Sequence, residues 1–331
     1  MFNIIEKRRY FFLFSACVII PGLLVMIYST ITTGAPFRLS IDFVGGTIYD
    51  LTFTEPGVTE ENLRAVFTQF GDPEVSIQAL RDTTVVEGAP ETYRWSVRGS
   101  VPQDAAASSA LQTALTAIAP LDLQKLSIES VSQTVGGEVA RAAVFAVVVA
   151  GVIVTGFIVL AFRKVPNAFR YGICAIGAML HDVLVVMGIT SLLGLLFGWE
   201  IDALFLTAIL TTVGYSVQDT IVLFDRIREN IPKHLGEPYE TIVNRSIWET
   251  IHRSLATQLN AFFVMAAILL FGGETIKQFI LILFIGLLTG TYSSLFTAVP
   301  LLAAWEQGEL PFMNRKARQT AAPERALSAE A

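Results

Sequence analysis

One helix-like segment carries a line of polar side chains, among them a carboxylate, through apolar surroundings. The segment spans residues 213–230, VGYSVQDTIVLFDRIREN. Polar residues at positions i, i+3, i+4 and i+7 would share one face of this helix. They are Thr212, Tyr215, Ser216 and Asp219, with Gln218 beside them. Because a charge inside a membrane is costly and tends to be functional, Asp219 predicts a site that handles protons or ions.

A second polar pair, His181 and Asp182, interrupts the apolar run 171–196. Asp182 lies about twelve residues into that run, which is roughly 18 Å along a helix and near the middle of a bilayer. Two interpretations stay open at this point. The pair is either a functional intramembrane polar site, or a neutral acid and a hydrogen bond that only hold two helices together.

Arg253 precedes another apolar run, 254–271, and Thr257 and Asn260 continue its helical face at i+4 and i+7. If this helix is antiparallel to the one that carries Asp219, the guanidinium could reach the carboxylate and keep it ionised. Withdrawal of Arg253 would then favour protonation, and that alternation is what a proton-driven switch requires. The alternative is that Arg253 only extends to the membrane surface.

The composition predicts an integral membrane protein around these groups. Of 331 residues, 53% are hydrophobic and 16% are charged, and the mean hydropathy is +0.57, which is too apolar for a soluble protein of this size. A span needs about 20 apolar residues. Six runs meet that length: 10–31, 140–162, 171–196, 201–224, 254–271 and 279–304.

Basic residues indicate how the six spans are oriented. They precede the first run and follow the second, fourth and sixth, so the positive-inside rule places both termini in the cytoplasm. They sit in short loops and form no patch, and the net charge is −6. The expected surroundings are therefore membrane lipids and not nucleic acid.

Residues 34–138 form the one large polar segment, which this orientation places outside the cytoplasm. Strands are predicted at 46–54, 73–80, 93–98 and 125–131, with helices at 59–70 and 104–118. The order β-α-β-β-α-β is that of a ferredoxin-like α+β domain. The domain has no cluster of His, Cys or paired acids, so we expect no catalytic site, metal or cofactor. Glycines at its two connections predict hinges: Gly45, Gly46, Gly136 and Gly137.

Three features complete the predicted layout of residues 139–305 and the tail. The segment 237–253 alternates apolar and charged residues at helical spacing, which predicts a cytoplasmic amphipathic helix at the membrane interface. Gly286 and Gly290 form a G-x-x-x-G face for close helix packing, within the chain or against a partner. The tail, 306–331, is predicted to be disordered, and residues 1–33 hold the N-terminus and the first span.

Taken in order, several motifs resemble the SecF proteins of the SecD/SecF family in the bacterial Sec protein-export machinery. They are SIDFVGGT at 40–47, HDVLVVMGITSLLG at 181–194, the segment at 213–230, RSLATQ at 253–258, LFGGETIKQF at 270–279 and GTYSSLFTAVPLL at 290–302. The approach to the second span, VSQTVGGEVARAA, lacks the Gly-Pro that the family has there. The likeness otherwise covers nearly the whole chain.

The resemblance implies a six-helix half of the resistance-nodulation-division (RND) fold in the bacterial cytoplasmic membrane. It further implies a SecD partner, association with SecYEG and YajC, and use of the proton gradient to assist translocation of preproteins. The family's proton-linked acid and arginine match Asp219 and Arg253, with an acid of SecD opposite them. The alternative is an RND-like exporter of small or lipid molecules. An intramembrane protease is a third class, which no motif in the spans supports.

Overall fold

Within the described residues, six helical spans are long and apolar enough to cross a membrane, which confirms the predicted number. The protein is described by a computed structural model over residues 3–73, 75–80, 93–99, 105–163 and 167–309. The first five spans are α1 (Arg8–Thr33), α5 (Gln133–Ala161), α6 (Ala168–Phe197), α7 (Ala203–Lys233) and α8 (Tyr239–Phe271). The sixth span consists of α9 (Glu274–Ser293), a π-helical turn (Ser294–Ala298) and α10 (Val299–Glu306).

The predicted amphipathic helix at 237–253 is not a separate element. It is the first part of α8, which continues without a break into the fifth span. The sequence of α8 contains neither glycine nor proline, so nothing in it interrupts the backbone hydrogen bonds. The apolar side of this part does not face lipid either, because Val243 and Ile247 are fully buried in the core of the helical unit.

The π-helical turn in the last span precedes Pro300. A proline inside a helix lacks an N–H, and its ring collides with the carbonyl four residues earlier. A π turn widens the helix by one residue and so makes room for that ring. The sixth span therefore stays continuous through the proline.

The chain divides into two compact units, residues 1–38 with 145–331 and residues 39–144. The polar unit thus begins later than the predicted boundary at residue 34, and the boundary at its other end lies within α5. The segment after α1 belongs to the helical unit because its carbonyls are bound there. Pro36 O accepts from Ser191 Oγ at 2.8 Å, and Arg38 O accepts from Ile201 N at 2.8 Å.

The polar unit has the predicted β-α-β-β-α-β order, preceded by a short helix that the sequence analysis missed, α2 (Ile41–Val44). Its other elements are β1 (Gly46–Phe53), α3 (Glu60–Gln69), β2 (Ser76–Leu80), β3 (Tyr93–Gly99), α4 (Ala105–Ile118) and β4 (Ser127–Val131). All strand pairs are antiparallel, in the order β2-β3-β1-β4. Alternate residues of β1 form one apolar face that packs with α3 and α4: Tyr49, Leu51 and Phe53.

In the helical unit, α9 packs against α6, α7 and α8, and α1 packs against α6. The α1–α6 contact includes a crossing of two glycines, Gly22 and Gly188. A Cβ added at Gly188 would lie 2.7 Å from the Cα of Gly22. The sequence analysis did not find this crossing. It brings two backbones together as closely as glycine permits.

Arg8, at the start of α1, is buried and joins three parts of the helical unit. Its guanidinium donates to Glu240 Oε1 at 2.8 Å, to Glu309 Oε2 at 2.7 Å and to Ile5 O at 2.9 Å. The N-terminal segment, the start of α8 and the end of the last span are therefore held at one point.

We expect Arg8→Met to lower the free energy of unfolding by about 1–2 kcal/mol, because it leaves two carboxylates without their shared donor while keeping most of the volume. Thermal unfolding of the detergent-solubilised chain would measure the loss. Lys233→Met is the control, since the one ion pair of Lys233 in the described part of the chain is an exposed contact with Glu229 at 3.9 Å. Equal melting temperatures for the two variants would contradict the role assigned to Arg8.

Candidate functional site

Asp219 lies buried between α7 and α8 and is 6% exposed. Its Oδ2 accepts a hydrogen bond from Gln258 Nε2 at 2.6 Å, and Ser254 supplies a second side-chain hydrogen bond. Ser254 and Gln258 are one turn apart on α8, and both are buried. A carboxylate that faces an amide and a hydroxyl, with no cation on it, can exist in both protonation states.

The structure does not bring Arg253 to Asp219. Arg253, Thr257 and Asn260 lie on a different face of α8 from Ser254 and Gln258, and that face is exposed. Among the described residues, Arg253 forms no ion pair. It lines a polar cleft of about 300 Å³ between the C-terminal part of α7 and the N-terminal half of α8, whose other lining residues are Val222, Asp225, Arg226, Glu229, Glu249 and Thr250.

The predicted polar stripe of α7 is likewise divided between two faces. Thr212 and Ser216 are buried with Asp219, whereas Tyr215 and Gln218 are exposed. Both helices thus expose polar side chains within or next to their apolar runs. We call these side chains the α7–α8 polar surface: Tyr215, Gln218, Arg253, Thr257 and Asn260.

Ion pairs and a side-chain amide fix the connection between α7 and α8. Arg226 Nε donates to Glu249 Oε2 at 2.7 Å, and Asn230 Nδ2 donates to the same oxygen at 2.7 Å. Arg245 Nη2 of α8 lies 3.0 Å from Oε2 of Glu237 in the loop between the helices, and its guanidinium lowers the pKa of that carboxyl. These contacts hold α8 in the rotation that turns Gln258 towards Asp219.

Gly286 and Gly290 pack within the chain, against the buried side of α7. A Cβ at Gly286 would lie 2.8 Å from Thr212 Cγ2, and one at Gly290 would lie 3.4 Å from Ser216 Cβ. The sequence left open whether this face meets a partner. The Gly286–Gly290 face of α9 packs beside Asp219, because Thr212 and Ser216 are on the same side of α7 as the acid.

His181 and Asp182 form a second buried polar centre, between α1, α6 and α9. Asp182 is 1% exposed; its Oδ1 lies 3.0 Å from His181 Nδ1, and its Oδ2 accepts from Ser293 Oγ at 2.6 Å. His181 Nε2 lies 3.1 Å from Ser15 Oγ, and the imidazole stacks on Tyr292 with ring centroids 5.8 Å apart. Both of the open interpretations agree with this geometry, since the pair links three helices and also holds two titratable groups.

Two of the four glycines predicted as hinges, Gly46 and Gly136, are closely packed. Gly45 and Gly46 have φ of 77° and 127°, a region that favours glycine, where the chain turns from α2 into β1. A Cβ at Gly136 would lie 2.8 Å from the backbone N of Gly45. Gly137 has no atom within 4 Å of its Cβ position. Hinge motion at these residues stays a prediction.

The residues that contact the two acids were not predicted from the sequence: Ser15, Ser254, Gln258, Tyr292 and Ser293. The i, i+4 spacing of Ser254 and Gln258 in a helix was a signal that could have identified the face opposite Asp219. Among the described residues, no group of three His, Cys, Asp or Glu side chains is placed to hold a metal ion.

Comparison with known proteins agrees with this architecture. Residues 110–308 match the profile of the protein export membrane protein SecD/SecF, C-terminal, and residues 30–56 match the SecD/SecF GG motif. The chain is 41% identical over 323 residues to the protein translocase subunit SecF of Thermobaculum terrenum, covering 97% of this chain and 99% of that one.

Relatives in which SecD and SecF are one chain also match. The SecDF of Bacillus subtilis is 32% identical over 92% of this chain and 38% of its own length. The crystal structure of SecDF from Thermus thermophilus, a translocon-associated membrane protein, superposes with a TM-score of 0.73 at 32% identity, over 92% of this chain and 39% of that chain. The chain thus belongs to the SecD/SecF family of protein export membrane proteins, whose SecF members are subunits of the protein translocase.

Proposed function

We propose that this chain acts with SecD as a proton-coupled auxiliary subunit of the Sec protein translocase, with Asp219 as its proton-exchanging group. The observation that carries the proposal is the position of Asp219. It is buried beside an amide and a hydroxyl, at the edge of the α7–α8 polar surface. Family membership supports the export role, and the buried carboxylate supports the coupling.

SecD is the partner proposed for the α7–α8 polar surface. Polar side chains exposed on a spanning helix are unfavourable in lipid, so a protein or a hydrated seam should cover them. The fused SecDF relatives support this choice because their SecF part occurs in one chain with SecD. SecYEG, YajC and the translocating preprotein are the further partners we propose, in a bacterial cytoplasmic membrane with both termini of this chain in the cytoplasm.

In the proposed cycle, Arg253 alternates between the cytoplasmic cleft and Asp219. A guanidinium close to the carboxylate stabilises the ionised form, and its withdrawal favours proton uptake. Moving one charge through 100 mV is worth about 2.3 kcal/mol, whereas shifting a two-state element from 1:99 to 99:1 needs about 5.5 kcal/mol. One proton per cycle could therefore shift the equilibrium between two packings of α7 and α8 that are close in free energy. This shift in packing would in turn move the extracytoplasmic domain.

A translocation assay in membrane vesicles tests the proposal. Vesicles that contain the chain with SecD and SecYEG are given a preprotein with and without a proton gradient. We expect Asp219→Asn and Arg253→Met to lose the increment that the gradient adds, because each removes one of the two groups that the cycle alternates.

The matched controls are Glu60→Gln and Arg64→Met, the same kinds of substitution in an exposed ion pair of 2.9 Å on α3, away from the cleft. These variants should retain the increment. An unchanged increment in Asp219→Asn, in a complex that still contains SecD, would exclude Asp219 as the coupling group.

A further inference from the structure

A groove with a volume of about 410 Å³ lies between α1 and α6 on the surface of the helical unit. Small-molecule sites in proteins have volumes of about 300–1,000 Å³, so the groove is large enough to hold a ligand. Its walls are apolar side chains from Phe12–Ile20 of α1 and from Gly177–Leu184 of α6. Both helices are membrane spans, so the groove opens towards lipid.

The polar side chains that line this groove are hydrogen-bonded to one another. Ser15, His181 and Thr297 are each at most 9% exposed. Ser15 Oγ lies 3.1 Å from His181 Nε2 and 3.5 Å from Thr297 Oγ1. On its other side, His181 Nδ1 lies 3.0 Å from Asp182 Oδ1. Because these polar atoms have partners within the chain, the groove offers a ligand apolar surface and suits a hydrocarbon chain better than a polar solute.

The groove is wide enough for a hydrocarbon chain and too narrow for a helix. It follows α1 from Phe12 to Ile20, which is roughly 12 Å. A volume of about 410 Å³ over that length gives a mean cross-section of roughly 34 Å². A helix with its side chains is about 10 Å across, or about 80 Å² in section, whereas carbon atoms in contact lie about 4 Å apart. A helix of a partner protein therefore does not fit into the groove.

Arg9 lies in the first turn of α1, in line with the groove. It is exposed and forms no ion pair in the described part of the chain. Ala16 and Ile20 follow it at i+7 and i+11, so all three share one face of the helix. The groove thus extends from roughly 5 to roughly 17 Å beyond the level of Arg9, and one leaflet contributes about 15 Å of hydrocarbon. A guanidinium in this position can pair with a lipid phosphate while the groove holds the chain.

We propose that the groove binds one acyl chain of an anionic phospholipid, whose phosphate pairs with Arg9. The chain follows α1 from Phe12 to Ile20 and covers the side of the His181–Asp182 centre that borders the groove. The inference concerns a part of the molecule away from Asp219, and it does not depend on the proposed function.

Photolabelling tests the chain position. The complex with SecD is placed in vesicles that contain phosphatidylglycerol with a diazirine in one acyl chain, and labelled peptides are quantified by mass spectrometry after irradiation. We expect label on Phe12–Ile20 and on Gly177–Leu184. Ala16→Leu, which fills the groove, should reduce that label at least fivefold. Ala142→Leu is the matched control, because it adds the same volume at an exposed position of α5 and should leave the label unchanged.

A second pair of variants tests the headgroup. Arg9→Gln should reduce the label from phosphatidylglycerol by about fivefold, the effect of about 1 kcal/mol for one basic residue at a membrane surface. Lys7→Gln is the control, since Lys7 is two residues earlier and faces another side of the chain. Arg9→Gln leaves the groove itself unchanged, so it tests the proposal even if Ala16→Leu displaces α1.

Three results would overturn the proposal. The first is equal labelling of the groove in Ala16→Leu and in the wild type. The second is labelling of the groove in this chain alone but not in the complex, because SecD would then cover the groove. The third is equal labelling of Arg9→Gln and the wild type, which would exclude an anionic headgroup at Arg9.

Discussion

Replacing Gly188 by alanine should force α1 away from α6 and destabilise the helical unit by about 3 kcal/mol. The new Cβ would lie 2.7 Å from the Cα and 3.3 Å from the carbonyl carbon of Gly22. Both are backbone atoms, so no rotamer change can relieve the overlap. The expected readout is a lower melting temperature of the detergent-solubilised chain, together with loss of the contacts that α1 makes with His181.

Gly151→Ala is the control for this variant. Gly151 also faces a neighbouring helix, but its Cβ would meet only the terminal methyl of Met179, at 3.4 Å. A flexible methionine can move by a few tenths of an ångström at little cost. If Gly188→Ala melted at the same temperature as Gly151→Ala, the backbone crossing in this structure would be wrong.

Replacing Gly286 by alanine should cost about 1–3 kcal/mol of stability and also remove the effect of the proton gradient on translocation. A Cβ there would lie 2.8 Å from Thr212 Cγ2 and 2.9 Å from Thr212 Cβ. Since α7 carries Asp219, displacement of α7 changes the surroundings of the acid as well as the packing. Thermal unfolding and the translocation assay measure the two effects separately.

This overlap is with a side chain, so it can be relieved. Thr212→Ala removes the Oγ1 and Cγ2 atoms, and the double variant Gly286→Ala with Thr212→Ala should recover part of the lost stability. Gly156→Ala, where no atom lies within 4 Å of the new Cβ, should be neutral or stabilising by up to about 1 kcal/mol. Absence of any rescue would show that the cost at Gly286 does not come from Thr212.

The spans and the α+β domain could be predicted because each depends on local pattern. Runs of apolar residues identify the spans whatever their neighbours are. In the domain, the helix predicted at 59–70 begins at Thr59, which is the N-cap of α3 and whose side chain accepts from Asn62 N at 3.3 Å. Continuity of α8 was missed because the charged residues before Arg253 suggested a boundary, whereas the backbone there meets no glycine or proline.

The partners of Asp219 could not be predicted from spacing alone. Helical periodicity tells which residues of α8 share a face, but not which of its faces turns towards α7. Arg253, Thr257 and Asn260 form one consistent face, and Ser254 and Gln258 form another about 100° away. The contacts of Glu249 with Arg226 and Asn230, near the connection between α7 and α8, select the second face. For Asp182, the partner Ser293 is too distant in sequence for any periodic pattern to connect them.

The π-helical turn before Pro300 has a consequence for how relatives of this chain should be aligned. A π turn holds one residue more than an α turn, so the deletion of one residue within Ser294–Ala298 would close it into an α turn and leave the residues that follow on their present faces relative to α9. The extra space beside Pro300 would be lost, and the proline ring would meet a carbonyl. A single-residue gap at this position, unlike one elsewhere in the last span, would therefore cost packing at the proline without changing the register of the residues after it.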